Sequence, residues 1–220
     1  MRASLAAPGL RYARHPSERW IFGRSRELGF VVLRASASGS GWTWGRPLDI
    51  QLCREQDLPL LEAGDPSPGL TRHHARRFER QQRDASTFLI AWDDGVPVGR
   101  GEILWHGCAA PEVNRRYPDC PEINGLAVWP TGLRSHGIGT AIIGAAEALA
   151  RERGRGQIGL GVDDDNPRAA ALYLRLGYQE TGCRYLDRYY YLDDNGHRHD
   201  VADPARFLVK NLTAAGPDDA

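Results

Sequence analysis

Residues 122–154 read EINGLAVWPTGLRSHGIGTAIIGAAEALARERG, and their reading decides the fold. The first nine residues alternate like a strand, with Gly125 inside it marking a bulge or a close approach to the backbone. Pro130 ends that pattern. An alanine-rich apolar run then begins at Gly137 or Ile138 and stops at Gly154. Within it Ile138, Ile142, Ala145 or Ala146, and Leu149 recur at helical spacing, one apolar stripe for a sheet. The stretch RSHGIGT, residues 134–140, is therefore the turn between a strand and a helix, with two glycines one residue apart.

Such a turn suits an anion. The first turn of a helix has N–H groups without partners and the positive end of the helix dipole. Glycines remove the side chains that would hold a phosphate away, and Arg134 adds a permanent charge. Two common nucleotide patterns are excluded. A P-loop needs a lysine after its second glycine, yet Lys210 is the chain's only lysine. A dinucleotide fingerprint needs a third glycine at position 142, where Ile142 stands. What remains is R-x-x-G-x-G.

Working outward, QIGLGVD (157–163) reads as a second strand and NPRAAALYLRLG (166–177) as a capped helix. Asn166 is its N-cap, Pro167 its first residue and Gly177 its stop. Asn166 and Tyr173 are seven residues apart and point nearly the same way, suited to a polar groove, while Leu172 and Leu176 form a core stripe. The plainer alternative makes Asn166 only a cap and Tyr173 only a packing residue. The region 179–212 reads as a terminal hairpin across the turn DDNGH.

Before residue 122, LDIQLC (48–53) is a strand and REQDLPLLEAG (54–64) a short helix closed by Gly64. TRHHARRFERQQRD (71–84) is helix-prone. A hairpin follows, with its turn at Asp93, Asp94 and Gly95. Residues 107–121 are too proline-rich and polar for regular structure and read as a surface loop of the kind that serves a site. Strand, helix, strand, helix, strand in the second half implies crossovers beside parallel strands in a mixed sheet.

Composition narrows the function classes. Net charge is zero, with 28 basic and 28 acidic residues, so no global field favours nucleic acid or a membrane. Four scattered cysteines without a C-x-x-C pair argue against a zinc ribbon and for reduced thiols in the cytoplasm. No apolar run approaches membrane-spanning length. The cluster His197, His199 and Asp200 follows an Asn-Gly turn and reads as exposed loop, so no metal is expected. Residues 1–46 are basic and end in a Ser/Gly-rich linker, the pattern of a flexible arm, with ELGFVVLR as one short ordered piece without an evident partner. A domain over 47–212 and a disordered tail at 213–220 complete the expected organisation.

R-x-x-G-x-G after a strand, followed by N-x-x-A and L-Y-x-x-x-G-Y on the next helix, resembles the GNAT family of N-acetyltransferases, and the resemblance covers about residues 48–212. His136 departs from it, standing where the family often has arginine or glycine. The resemblance implies an α/β fold, mixed and α+β-like. It has a central sheet of about seven strands flanked by about four helices, the parallel central strands splayed at a bulge. It implies acetyl-CoA as co-substrate, bound by Ala127 and Val128 main chain, by Arg134, Gly137, Ile138, Gly139 and Thr140 at the pyrophosphate, and by Asn166 and Tyr173. It gives Tyr173 the role of general acid and Glu122 that of general base. On the residues alone, a strand-edge carboxylate such as Glu122 is as readily solvated surface, with Glu102 and then Asp119 the other candidates. The implied reaction is direct attack of a primary amine, of a small molecule or peptide, on the thioester in a ternary complex. A non-catalytic acyl-CoA-binding or sensory module is the competing class, and a nucleotide-binding regulator with the arm on nucleic acid a weaker third. A homodimer is in keeping with the family.

Overall fold

The computed structural model describes residues 48–212 together with two strands nearer the N-terminus. Nine strands form one sheet, in the order β1-β2-β3-β4-β5-β6-β7-β9-β8. They are β1 Ile21–Arg24, β2 Val31–Ala35, β3 Leu48–Leu52, β4 Ser86–Asp93, β5 Val96–Leu104, β6 Glu122–Val128, β7 Gln157–Asp163, β8 Gln179–Leu192 and β9 Arg198–Asn211. The expected seven are β3–β9. Two stretches of the expected arm, β1 and β2, extend the sheet, and β2 pairs with β3 through Leu33 opposite Ile50. The rest of that arm and the tail at 213–220 lie outside the described residues.

Five α-helices cover the sheet: α1 Leu58–Gly64, α2 His73–Gln82, α3 Pro111–Arg116, α4 Ile138–Glu152 and α5 Pro167–Arg175. Alternation along β4 sorts them into two layers. Leu89 and Ala91 face a core shared with Ile138, Ile142, Ala145, Ala170 and Tyr173 of α4 and α5. Phe88, Ile90 and Trp92 face the other way, with Leu61 of α1 and Phe78 of α2. A third cluster places Val113 of α3 over Tyr185 and Phe207 on that second face. Burying the two layers on opposite sides of one sheet is the α/β solution to covering both its apolar faces.

Local chemistry accounts for most of the boundaries. The β4–β5 turn carries φ of 50° at Asp94 and 81° at Gly95, as a two-residue primed turn requires. Asn166 Oδ1 accepts the Ala169 N–H at 3.1 Å, capping α5, and Gly177 at φ 87° follows it. α4 is buried more widely than one stripe. Ala141, Ile143, Ala148 and Ala150 are covered as well, and small side chains are what let it lie this close. Its buried Glu147 accepts both hydrogen bonds of Lys210 Nζ, at 2.8 Å each.

Two expectations are corrected. Residues 107–121 are not without regular structure. Pro111 starts α3, where its missing N–H costs nothing, and Val113 is buried beneath it. On α5, Leu172 and Leu176 pack against the core as expected, half-buried, but Tyr173 is buried in that core and does not share an open side with the exposed Asn166. A tyrosine with more apolar area than leucine is drawn inward when its helix end packs on the sheet.

Candidate active site

β6 and β7 lie parallel, but their pairing stops after Glu122 opposite Gly159 and Ile123 opposite Leu160. From Asn124 to Val128 the β7 side of β6 has no strand partner among the described residues. The cause sits on the other edge. The β5–β6 register slips between Arg100 and Glu102, opposite Gly125, which has φ of 59°. That bulge turns β6 away and opens a gap between the two strands. Ala127 and Val128 line it, both half-buried.

At the end of the gap lies the glycine turn. A 3-10 turn at Thr131–Leu133 leads to Ser135 at φ 67° and Gly137 at φ 87°. Gly137 is the N-cap of α4 and supplies no side-chain cap. The first amide bonded within the helix is Ala141, to the Gly137 carbonyl at 2.9 Å. The N–H groups of Ile138, Gly139 and Thr140 thus have no acceptor among the described residues. Gly137 needs glycine for its backbone. Gly139 does not: its φ is ordinary, and a Cβ there would meet nothing nearer than Leu126 and Leu172 at 3.9 Å. Nothing in the fold demands glycine at 139, whereas a group lying on the helix end would. The residues present fit a diphosphate. Arg134 lies exposed beside them with Nε 3.4 Å from the Val128 carbonyl, and Arg168 of α5 reaches Ser135 Oγ at 3.0 Å.

At the other end of the gap is Glu122. It is 3% exposed, and burial pushes its carboxyl up to about 7, with Asp187 adding to the rise and a hydrogen bond from Asn124 opposing it. Its neighbours lie on one face of adjacent strands. Tyr185 of β8 seats its hydroxyl against the bare backbone of Gly161, beside Glu122 Oε1. Asp163 at the end of β7 and Asp187 of β8 are both raised, first by burial and then by nearby carboxylates. Asp203, opposite Asp187, accepts the Tyr189 hydroxyl at 3.0 Å. The floor of this groove is acidic.

The family model of the acetyltransferase (GNAT) family matches residues 55–178, more than half of the sequence. The chain belongs to the GNAT acetyltransferase family. An uncharacterized N-acetyltransferase of Methanocaldococcus jannaschii is 34% identical over 100 residues, covering 45% of this chain and 42% of that protein. The match therefore spans less than half the length of that relative. Among solved structures, the ribosomal-protein-S18-alanine N-acetyltransferase of Escherichia coli superposes with a TM-score of 0.52. It is 19% identical, and the superposition covers 78% of this chain and 97% of that one. A spermidine N-acetyltransferase of Vibrio cholerae, in complex with CoA and spermine, gives 0.52 at 14% identity, covering 75% and 95%. At these identities the two structures establish the fold.

Within this GNAT domain the predicted site residues lie in three places: along the gap and turn, on α5, and at Glu122. Ala127, Val128, Arg134, Gly137, Ile138, Gly139 and Thr140 are contiguous along the gap and the turn. Tyr173 is 8% exposed, and burial followed by the Asp163 charge pushes its phenol up to about 12, so it is protonated at neutral pH. Asn166 caps α5 through Oδ1, which leaves its amide nitrogen for other partners. The other carboxylates considered as base separate clearly. Glu102 is fully buried but accepts Arg80 Nε and Nη2 at 2.9 and 2.6 Å. Asp119 is exposed. His197 and His199 both approach Asp193, at 3.4 and 3.1 Å, while Asp200 pairs with Arg198. Sequence reasoning missed Arg168, Tyr185, Asp163 and Asp187. Arg168 was legible from its place two residues after the cap, but the others depend on β9 lying between β7 and β8.

Proposed function

We propose that this GNAT protein is an acetyl-CoA-dependent N-acetyltransferase acting on a primary amine of a small molecule or peptide. The observation that carries the reading is the gap between β6 and β7. It has unbonded helix amides at one end and a buried carboxylate, poised near neutrality, at the other. Bound acetyl-CoA supplies an acetyl group already activated as a thioester. The amides of Ile138, Gly139 and Thr140, with Arg134, hold its diphosphate, and the unpaired edge of β6 at Ala127 and Val128 holds the arm that leads into the gap.

Glu122 is the general base. A carboxyl with a pKa near the working pH can accept an amine's proton and still be ionised in a useful fraction of molecules. Starting from the neutral amine, nitrogen bonds to the acetyl carbon as the carbon–sulfur bond breaks. The electron pair leaves on sulfur, Glu122 takes the N–H proton, Tyr173 protonates the sulfur, and solvent restores both groups. Tyr173 is suited to this because burial keeps it protonated. The solved neighbours that act on a ribosomal-protein alanine and that hold spermine support an amine as acceptor.

Free-CoA release over a panel of primary amines tests the reading, alongside acetyl-CoA affinity measured by calorimetry. Release that depends on the amine, and falls in Glu122→Gln with affinity retained, is the expected result. Tight binding of the thioester with no release on any amine would make the protein a non-catalytic acyl-CoA-binding module instead.

A further inference from the structure

Three arginines converge on the α1–α2 face of β6, and among the described residues Asp65 and Glu102 form ion pairs with them. Arg100 of β5 donates Nε to Asp65 Oδ2 at 2.7 Å and Nη1 to the Gly125 carbonyl. Arg80 of α2 holds both oxygens of Glu102. Arg77, one turn earlier on α2, shares that carboxylate. Its Nε stands 3.4 Å from a Glu102 oxygen that Arg80 already occupies, and that Nε has no hydrogen-bond acceptor. Its one hydrogen bond among the described residues is Nη1 to the His73 carbonyl, at 3.5 Å.

The guanidinium of Arg77 lies on the bulge itself. A Cβ at Gly125 would stand 2.5 Å from Arg77 Nη2 and 3.1 Å from Arg100 Nη1. Two like charges therefore meet over one backbone position. Burial, then Arg100, pushes Arg77 down to about 9, so it is still charged at neutral pH. His74, fully buried, is held to about 4 by burial and is neutral. Arg77 and Arg80 share Glu102, with the charge of Glu79 also near Arg80, and Arg100 takes Asp65, so Arg77 and Arg100 are the two guanidinium groups that meet at the bulge. A metal ion between Asp65, His73 and His74 would compete with Arg100 for Asp65.

A guanidinium that shares its carboxylate and keeps an unbonded Nε can take a second anion. An anion that meets both Arg77 and Arg100 lies at Gly125, which follows Asn124 on β6. Glu122, two residues before Asn124, shares its face of the sheet. Along a strand the three residues from 122 to 125 span roughly 10 Å, and long side chains on both sides shorten the gap. We infer that the acceptor is an amino acid or a close derivative. Its carboxylate is held by Arg77 and Arg100 at the bulge, and its amine faces Glu122. This rests on the acetyl-transfer reading; the carboxylate takes no part in the bond changes.

Matched pairs of acceptors test it on the full chain: glycine with methylamine, 4-aminobutyrate with propylamine, lysine with cadaverine. In at least one pair the acid is expected to exceed its amine by about tenfold or more in kcat/KM, mainly through KM. In Arg77→Met that ratio should fall to within about twofold, with Arg77→Lys retaining part of it and circular dichroism checking that both fold. Equal or better use of the plain amines and the diamine in every pair overturns the inference, as does an acid preference that survives Arg77→Met. If acetyl-CoA binds yet no acceptor of either kind releases CoA, the acetyl-transfer reading fails by itself. The anion site is then read without chemistry. A rise in melting temperature with the acids but not the amines, absent in Arg77→Met, upholds it, and no rise with any acid removes it.

Discussion

The two faces of the central strands are built in opposite ways. The proposed cofactor side runs along one continuous piece of chain, from β6 through the glycine turn to α4 and on to α5. It works mostly through main-chain groups: an unpaired strand edge, three unbonded amides and a capped helix. The groove on the other face is assembled from α1, α2, β5, β6, β7, β8 and β9, and it works through charged side chains. A site made of backbone needs only local instructions, such as where glycine stands and where a helix begins. A site made of side chains depends on strand order and register, which no short stretch specifies.

The largest test of this contrast is Gly139→Val. The backbone there is ordinary and a Cβ meets nothing closer than 3.9 Å, so the fold should persist while branched methyls fill the space over the helix end. Affinity for acetyl-CoA should fall by about a thousandfold, roughly 4 kcal/mol, with melting nearly unchanged. Gly137→Val is the poorer test because φ of 87° strains any branched side chain whatever binds. Normal binding in a folded Gly139→Val would end the backbone-cradle account.

On the other face, Glu122→Gln should lower kcat/KM by about a hundred- to a thousandfold while leaving acetyl-CoA affinity within a few-fold. The wild-type profile should rise as pH passes about 7, where the buried carboxyl ionises, and the variant's should lack that step. Stability gives a second reading that needs no substrate. Between the ordinary value of 4.5 and about 7, the folded protein keeps a proton that the unfolded chain has lost. Stability must therefore decline as pH rises across that window, by about 3 kcal/mol for a shift of this size. Denaturant melts of Glu122→Gln should show that decline reduced; parallel curves would mean that Glu122 titrates normally.

What the sequence disclosed follows the same division. The turn at 134–140, the strand that opens at Glu122, the Asn166 cap and the bulge at Gly125 were legible because each rests on a residue whose backbone or capping behaviour is local. Proline at 111 misled, since proline breaks helices inside but begins them well. Tyr173 was placed on the right helix, yet its depth depends on how α5 meets the sheet. The acidic floor was invisible. Asp163, Asp187 and Asp203 come together only because β9 inserts between β7 and β8, and sequence order suggests instead that β7 and β8 adjoin. Arg77 read as one more polar residue in a helix of low hydrophobicity, and nothing nearby in sequence announced that it shares Glu102 with Arg80 at the bulge.

Tyr173 stands between the two faces, on a cofactor-side helix but within reach of the Asp163 charge. Tyr173→Phe removes one oxygen from a buried ring and should keep the packing. Turnover should fall by about tenfold to thirtyfold with acetyl-CoA affinity little changed, because a proton donor to the leaving sulfur matters in the transition state and not in binding. An equal loss in both would make the hydroxyl a binding contact, and an unchanged rate would remove it as the acid.

Arg168 gives the smallest effect and the finest discrimination. It is exposed and reaches the glycine turn only through Ser135 Oγ, so its contribution to a bound diphosphate is that of a surface charge. Arg168→Ala should weaken acetyl-CoA by about three- to fivefold at low salt, and the difference should shrink as ionic strength rises and the Debye length falls below about 8 Å. Turnover at saturating thioester should stay as it was, since Arg168 lies at the far end of the gap from Glu122. A salt-independent loss would mean that Arg168 orders the turn through Ser135 instead of meeting the phosphates. The cofactor side would then need a side chain to hold its backbone in place, and the contrast between the two faces would be one of degree.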